Sequence, residues 1–469
     1  MEVKTISTNL FGRLDRLPFS SFHRKVILIL SAAYFLDGLE STLYGGVLGT
    51  VSSAFKITAL ESTLGLVLFL VGAGAGAIIF GNLADVLGRR RLFMTTVVLY
   101  GIFTALSATA FNFASLALWR TLTGIGIGGE YGAVNSALQE YLPAKQRGKW
   151  LGVMIGAGWD TGTVVASLVG FLALSSLPPA LGWRIAFLVG AVLAIFILLI
   201  RRTIPESPRW LLLHGRQEEA ERIVSTIEQR VMREKGLSKL PDIPVSEVTE
   251  SRLGWKTTFS KAFTLYPRRT IASIILNFCE TWPYYTAFTL IPTLFILLKV
   301  TGSSIPLFLI PITAVGATGA LVIPWISDSI GRRPSAVLSY GLGGIMGFVI
   351  AYMGYAGALT LPVLVALLAV TYFFVFAAAD ILYVMIPESF PTQVRASSVG
   401  TAVSIGRLGG IIGAFVNPLV LLTFKPLSYG ILVSFSLMAV VMIIGAVGGV
   451  LLGVEGKGKR LEELSEYRE

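Results

Sequence analysis

Twelve apolar stretches divide this chain, at about 26–53, 61–84, 92–111, 114–140, 149–175, 183–203, 270–299, 304–328, 336–356, 360–386, 396–421 and 426–453. Each can cross a hydrocarbon core of about 30 Å. That pattern leaves few folds open. In lipid every backbone N–H and C=O must be satisfied within the protein, so each stretch is expected to be a helix. Composition agrees, with 54% apolar and 14% charged residues, a balance that no soluble domain requires. The first 25 residues are polar and lack a short apolar core before a small-residue cleavage site. The first stretch therefore reads as a membrane anchor and not as a signal peptide.

A net charge of +11 invites a nucleic-acid partner, but the positions of the charges argue against one. With the first span starting inside, 32 of the 38 Lys and Arg fall before it or in the loops after even-numbered spans. Only Lys56, Lys299 and Lys425 fall on the other side, and Arg120, Arg184 and Arg407 lie in or at the ends of spans. This asymmetry predicts a multi-pass plasma-membrane protein with both termini in the cytoplasm. The single cysteine, Cys279, allows no intrachain disulfide, and His23 and His214 fall in expected loops, so no metal or haem cluster is expected.

The stretch Gly81-Asn82-Leu83-Ala84-Asp85-Val86-Leu87-Gly88-Arg89-Arg90 lies between the second and third spans. Its second part, Asp-x-x-Gly-Arg-Arg, returns 243 residues later as Asp328, Gly331, Arg332 and Arg333. A second pattern, Glu-x-x-Pro-x-x-x-Arg, occurs at Glu140 to Arg147 and again at Glu388 to Arg395, an offset of 248. Duplicated loops within duplicated hydropathy predict two homologous halves. The expected fold is an all-α membrane protein of twelve transmembrane helices in two pseudo-symmetric six-helix lobes. Residues 1–203 form one lobe, 204–269 a cytoplasmic linker and 270–469 the other. Asp85 follows a helix C-terminus, where an acid opposes the helix dipole and needs cations such as Arg89 and Arg90. Gly81, Asp85, Arg89, Arg90, Glu140, Arg147, Asp328, Arg332, Arg333, Glu388 and Arg395 are the expected cytoplasmic gate.

Within the linker, Ala220, Ile223, Val224, Ile227 and Val231 have helical spacing over Arg216 to Lys235, and Glu218 and Arg222 are spaced for an ion pair. A surface helix docked under the halves is expected, with a partner-binding helix as the alternative. Residues 236–256 read as linker and the tail from Glu455 as frayed. Gly124-x-Gly126-x-x-Gly129 matches a dinucleotide fingerprint, but it follows no strand and lies in a span, so close helix packing is expected there.

Charges inside spans mark function by default, because burying them is costly. They are Asp37, Glu40, Arg120, Glu130, Asp160, Glu280, Asp380 and Arg407. Asp380 lies toward the inner end of its span and reads as a gate residue. Asp37 and Glu40 are three apart and share a helix face. Trp282, Tyr284 and Tyr285 can wall a pocket with Glu280, or can be interfacial aromatics.

Here the chain resembles the major facilitator superfamily. Gly81 with Asp85-x-x-Gly88-Arg89-Arg90 is similar to the superfamily's loop 2–3 signature, although Pro324 stands where the second copy would have its leading Gly. Arg120-x-x-x-Gly124-x-Gly126-x-Gly128-Gly129-Glu130 and Pro205-Glu206-Ser207-Pro208-Arg209-Trp210 resemble the sugar porter, organic ion and metabolite:proton symporter branch. Asp37-Gly38-Leu39-Glu40 resembles the Asp-Gly-x-Asp of aromatic acid:proton symporters. No Gln-Gln pair like that of sugar porters stands in the seventh span.

The resemblance implies a proton-coupled symporter working by alternating access, with Glu40 and Arg120 at positions where proton-coupled sugar porters pair an acid with an arginine. Asp37, Glu40, Arg120 and Glu130 are the expected coupling residues. Asp160, Glu280, Trp282, Tyr284, Tyr285 and Arg407 are the expected substrate residues, with Arg407 suited to a carboxylate. An organic, possibly aromatic, acid leads. A sugar, an organic cation, uncoupled facilitation and a transporter-like receptor stay open. No enzyme activity or cofactor is expected. The expected partners are a small solute, a proton and lipid, and the expected working unit is a monomer.

Overall fold

The computed structural model describes residues 5–129, 134, 137, 140–143, 147–243, 246–249, 263–390 and 395–452. A strand β1 (Thr5–Thr8) and a short helix α1 (Leu10–Asp15) lead into α2 (Ser21–Phe55), α3 (Ala59–Leu87), α4 (Arg89–Ala108), α5 (Phe113–Gly128), α6 (Arg147–Ser176) and α7 (Pro179–Arg201). Helices α8 (Pro208–Leu213) and α9 (Gln217–Lys235) and a strand β2 (Ser246–Thr249) follow. The second set is α10 (Pro267–Leu297), α11 (Ile305–Ile330), α12 (Arg332–Tyr355), α13 (Leu361–Glu388), α14 (Arg395–Gly406), α15 (Leu408–Thr423) and α16 (Leu427–Leu452).

Among the described residues, ten helices are long and apolar enough to cross a membrane. The two expected spans outside that set are α5, described as far as Gly128, and α10. The reason for α10 is physical. Every residue from Cys279 to Phe295 is buried, so this helix meets protein on all sides and has no need of an apolar face toward lipid. The eleventh expected span is two helices, α14 and α15, that meet at Arg407.

Local chemistry accounts for the helix ends. Thr58 and Glu61 cap α3 reciprocally, with Glu61 N donating to Thr58 Oγ1 at 3.1 Å and Thr58 N donating to Glu61 Oε2 at 2.7 Å. Gly88 and Gly331, the glycines of the repeated motif, turn the chain between α3 and α4 and between α11 and α12 at φ 87° and 107°, a region that disfavours any Cβ. Between α3 and α5 the small residues interlock. Gly72 and Gly76 face the carbonyls of Thr121 and Ile125, and Gly124 and Gly128 face those of Phe69 and Ala73. The apparent dinucleotide fingerprint is thus a helix-packing surface.

At the end opposite the duplicated motifs, α2 meets the second set of helices backbone to backbone. A Cβ on Gly45 would lie 2.6 Å from Phe288 O, and one on Gly49 would lie 3.0 Å from the Gly302 Cα. That end of the bundle is closed.

The linker holds more structure than the sequence suggests. Helix α9 docks as its spacing predicts, burying Ala220, Val224, Ile227 and Val231, and its neighbours are α8, α1 and α2. Glu218 and Arg222 stay exposed, and the ion pair formed is Arg216 with Glu219. Within the stretch expected to be plain linker, β2 pairs antiparallel with β1, Thr5 opposite Thr249 and Thr8 opposite Ser246. Thr5, Ile6, Thr8, Val248 and Thr249 are β-branched, which suits a ribbon.

The N-terminal segment is clasped onto α9. Arg13 donates to Glu228 and to Ser225, each at 3.0 Å, and Arg16 donates to Glu228 at 2.5 Å. Glu234 accepts from Ser21 N at 2.9 Å and caps α2. Burial alone would raise the Glu228 carboxyl, but hydrogen bonds and charge from Arg13 and Arg16 outweigh it and hold it below its ordinary 4.5. A carboxylate so held contributes stability above its unfolded value, and that stability is lost as pH falls through the folded value. We expect hydrogen-exchange protection of residues 10–16 at about pH 7 to fall at about pH 3, with about 1 kcal/mol at stake because the pair is part-exposed. Glu228→Gln should remove the protection at both values. Equal protection in the parent protein at both would show that Glu228 does not hold the clasp.

Candidate functional site

A narrow cavity lies between the two sets of helices. Its walls are Tyr34 of α2, Gly156, Trp159 and Asp160 of α6, Glu280, Thr281, Tyr284 and Tyr285 of α10, Ala379, Asp380 and Tyr383 of α13, and Arg407 between α14 and α15. Asp160, Glu280, Tyr284, Tyr285 and Asp380 are all buried. The Tyr284 hydroxyl donates to Asp160 Oδ1 at 3.2 Å and ties the two halves together. Trp159 meets Tyr284 and Tyr285 edge-on, with ring centroids 5.6 and 5.9 Å apart. These rings give the cavity flat apolar walls, and the acids and the guanidinium give it polar ends.

Of the expected substrate residues, Asp160, Glu280, Tyr284, Tyr285 and Arg407 are brought together here. Trp282 is not. Its Nε1 donates to Asn417 Oδ1 of α15 at 2.9 Å, so the ring is built into the second half. Two residues from Tyr284, about 200° around the helix, it points away from that tyrosine. Asp380, expected only as a gate residue, is a cavity wall whose carboxylate rests against Gly156. Tyr34, Trp159 and Tyr383 carried no signal beyond their place one turn or less from an intramembrane charge. Arg407 has Tyr285, Tyr383, Asp37, Tyr34 and Glu280 as electrostatic neighbours.

Asp37 and Glu40 are three apart but serve different surroundings. Asp37 is buried, accepts a 3.5 Å hydrogen bond from Ser41 and neighbours Arg407 and Tyr285. Glu40 forms an ion pair with Arg120, both side chains being fully buried. Tyr100 donates to Glu40 Oε1 at 3.0 Å, and the guanidinium lies 4.6 Å from the Phe69 ring centre and 5.4 Å from those of Tyr44 and Phe187. Neither member of the pair lines the cavity. Glu130 lies outside the described residues.

At the motif end, three sequence signatures become one structure. Glu206 Oε1 accepts from the backbone N–H of Arg89 at 3.0 Å, Arg90 at 3.2 Å and Ser207 at 2.9 Å, an anion on a helix N-terminus. A Cβ on Gly88 would lie 2.7 Å from Glu206 Oε2, so this glycine serves both the turn and the approach. Arg89 pairs with Glu140, which also accepts from Ser207, and Arg90 donates to the Arg202 carbonyl at 3.0 Å. In the second copy Arg332 pairs with Asp328 at 2.5 Å, and Arg333 donates to the Gly449 carbonyl at 3.2 Å. Each of these contacts joins segments within one half. Gly81 lies within α3, and the side chains of Asp85, Arg147, Glu388 and Arg395 lie outside what the structure describes.

Comparison with known proteins agrees with this architecture. A family model described as "Sugar (and other) transporter" matches residues 29–467. The chain is 29% identical over 460 residues to a niacin transporter of Acinetobacter baylyi, covering 97% of this chain and 99% of that protein. It is also 29% identical over 436 residues to an inner membrane metabolite transport protein of Escherichia coli, covering 93% and 92%. The fold resembles that of the xylose transporter XylE from Escherichia coli in a partially occluded inward-open conformation, with a TM-score of 0.73, 19% identity, and coverage of 94% of this chain and 100% of that one.

Proposed function

Since the chain belongs to the sugar (and other) transporter family, within the major facilitator superfamily, and is a multi-pass membrane transporter, we propose that it is a proton-coupled symporter of a small aromatic acid. It works by alternating access, with lobes 1–203 and 270–469, residues 204–269 and both termini on the cytoplasmic side of the plasma membrane.

The observation that carries this reading is Arg407 in the cavity wall, with Asp37 of the opposite half as its acidic neighbour. A guanidinium away from water needs an anion. In this structure Asp37 answers it. A proton on Asp37 removes that anion and frees Arg407 for a substrate carboxylate, which the guanidinium fork fits. When the substrate leaves, Arg407 again favours ionised Asp37 and the proton is shed. One carboxylate therefore travels with one proton. A relative named a niacin transporter supports a pyridine carboxylic acid as one substrate of this kind.

Glu40 and Arg120 have a different role. Sealed among Tyr100, Phe69, Tyr44 and Phe187, they brace α2 against α5 and hold Asp37 in place. The test is uptake by proteoliposomes. An acidic exterior should drive accumulation of labelled niacin or benzoate above the outside concentration. Arg407→Lys should weaken binding of the acid at least about tenfold while leaving the matched amide within about threefold, since the loss is that of a bidentate pair. Equal loss for both ligands would reject carboxylate recognition.

A further inference from the structure

The carboxylate reading accounts for Arg407 and leaves the acids of the cavity wall unexplained. Arg407 is the one cation among the described cavity walls, and three carboxylates, Asp160, Glu280 and Asp380, share them. Arg407's acidic neighbours are a fourth, Asp37, and Glu280 itself. Asp160 accepts from Tyr284. Glu280 is 3% exposed, and its Oε2 is buried without any hydrogen-bond partner. A carboxylate oxygen that has lost water and found no donor bears the full desolvation cost, which a ligand donor would relieve.

These acids do not make a metal site, since no group of three or more His, Cys, Asp or Glu among the described residues can hold an ion. Trp159 and Tyr284, ring centroids 5.6 Å apart, stand beside them. Carboxylates flanked by aromatic faces suit an organic N–H cation.

We infer that the cavity takes an amphoteric solute, with its carboxylate on Arg407 and a protonated nitrogen on Glu280. The inference rests on the carboxylate reading above and adds the second pole. Asp160 comes from α6, Glu280 from α10 and Asp380 from α13, so the acidic end is complete only when the halves meet. A cationic group bound there draws them together, so the nitrogen end of the solute promotes closure around it.

The experiment compares two probes of nearly one shape on the purified full chain, 3-(aminomethyl)benzoate and 3-ethylbenzoate, by calorimetry. They differ in an ammonium against a methyl. We expect the amine to bind at least about tenfold tighter, as for a charge-assisted hydrogen bond to a desolvated acid. Glu280→Gln should bring the ratio toward one, and Glu280→Asp should keep part of it. Equal affinities in the parent protein would overturn the inference, and would leave the carboxylate reading standing if Arg407→Lys weakened both. Binding of benzylamine with no binding of either acid would overturn both. The comparison on the parent protein decides the matter even where a Glu280 variant fails to fold.

Discussion

Arg120→Ala should destabilise the purified protein by about 3–5 kcal/mol, the usual cost of leaving one member of a buried ion pair alone. Glu40 would keep only the Tyr100 hydroxyl as a donor, and three rings would lose the cation they enclose. Against a total of about 5–15 kcal/mol that is a large share. Glu40→Gln should cost less, because its amide can still accept from the guanidinium. The double change Glu40→Leu with Arg120→Leu should recover most of the loss, since apolar groups of similar volume often replace a buried pair at little cost. Denaturant titration in detergent of the parent and the three variants gives these values. A loss below about 1 kcal/mol for Arg120→Ala would mean that the pair does not brace α2 against α5.

Asp37→Asn should abolish pH-driven accumulation and keep substrate exchange. Asparagine cannot ionise, so Arg407 stays open to a carboxylate and no proton is taken or shed. Exchange across the membrane, which needs only the loaded carrier to reorient, continues. Counterflow and pH-gradient uptake in the same proteoliposomes separate the two. Glu40→Gln, where it folds, should still accumulate substrate. The opposite pair of results, with Glu40→Gln uncoupled and Asp37→Asn coupled, would move the proton to the Glu40–Arg120 site, as the resemblance to sugar porters implies. The two acids are one helical turn apart on α2, yet one neighbours Arg407 of the cavity wall and the other pairs inside the first half. That separation makes them testable apart.

The helical membrane class and the two motif turns were legible in the sequence. Apolar length and local turn chemistry set them, and both are local properties. The duplicated Asp-x-x-Gly-Arg-Arg marked two equivalent turns, and Gly88 and Gly331 adopt the same positive φ in both. The packing of Gly124 against α3 was also foreseeable, because a glycine run inside an apolar helix has little else to do. Partner choice was not legible. Trp282 and Tyr284 are two residues apart, and only the seating of α15 and α6 beside α10 sends one to Asn417 and the other to Asp160. The Glu40–Arg120 pair came only from the resemblance to sugar porters, and nothing in a list of buried charges said that Arg407 would face Asp37 or that Glu206 would cap α4 from 117 residues away. A buried charge tells the reader that a partner exists, because the cost of having none is high. Which partner it is depends on the distance between helices far apart in the chain, and that is decided only when they pack.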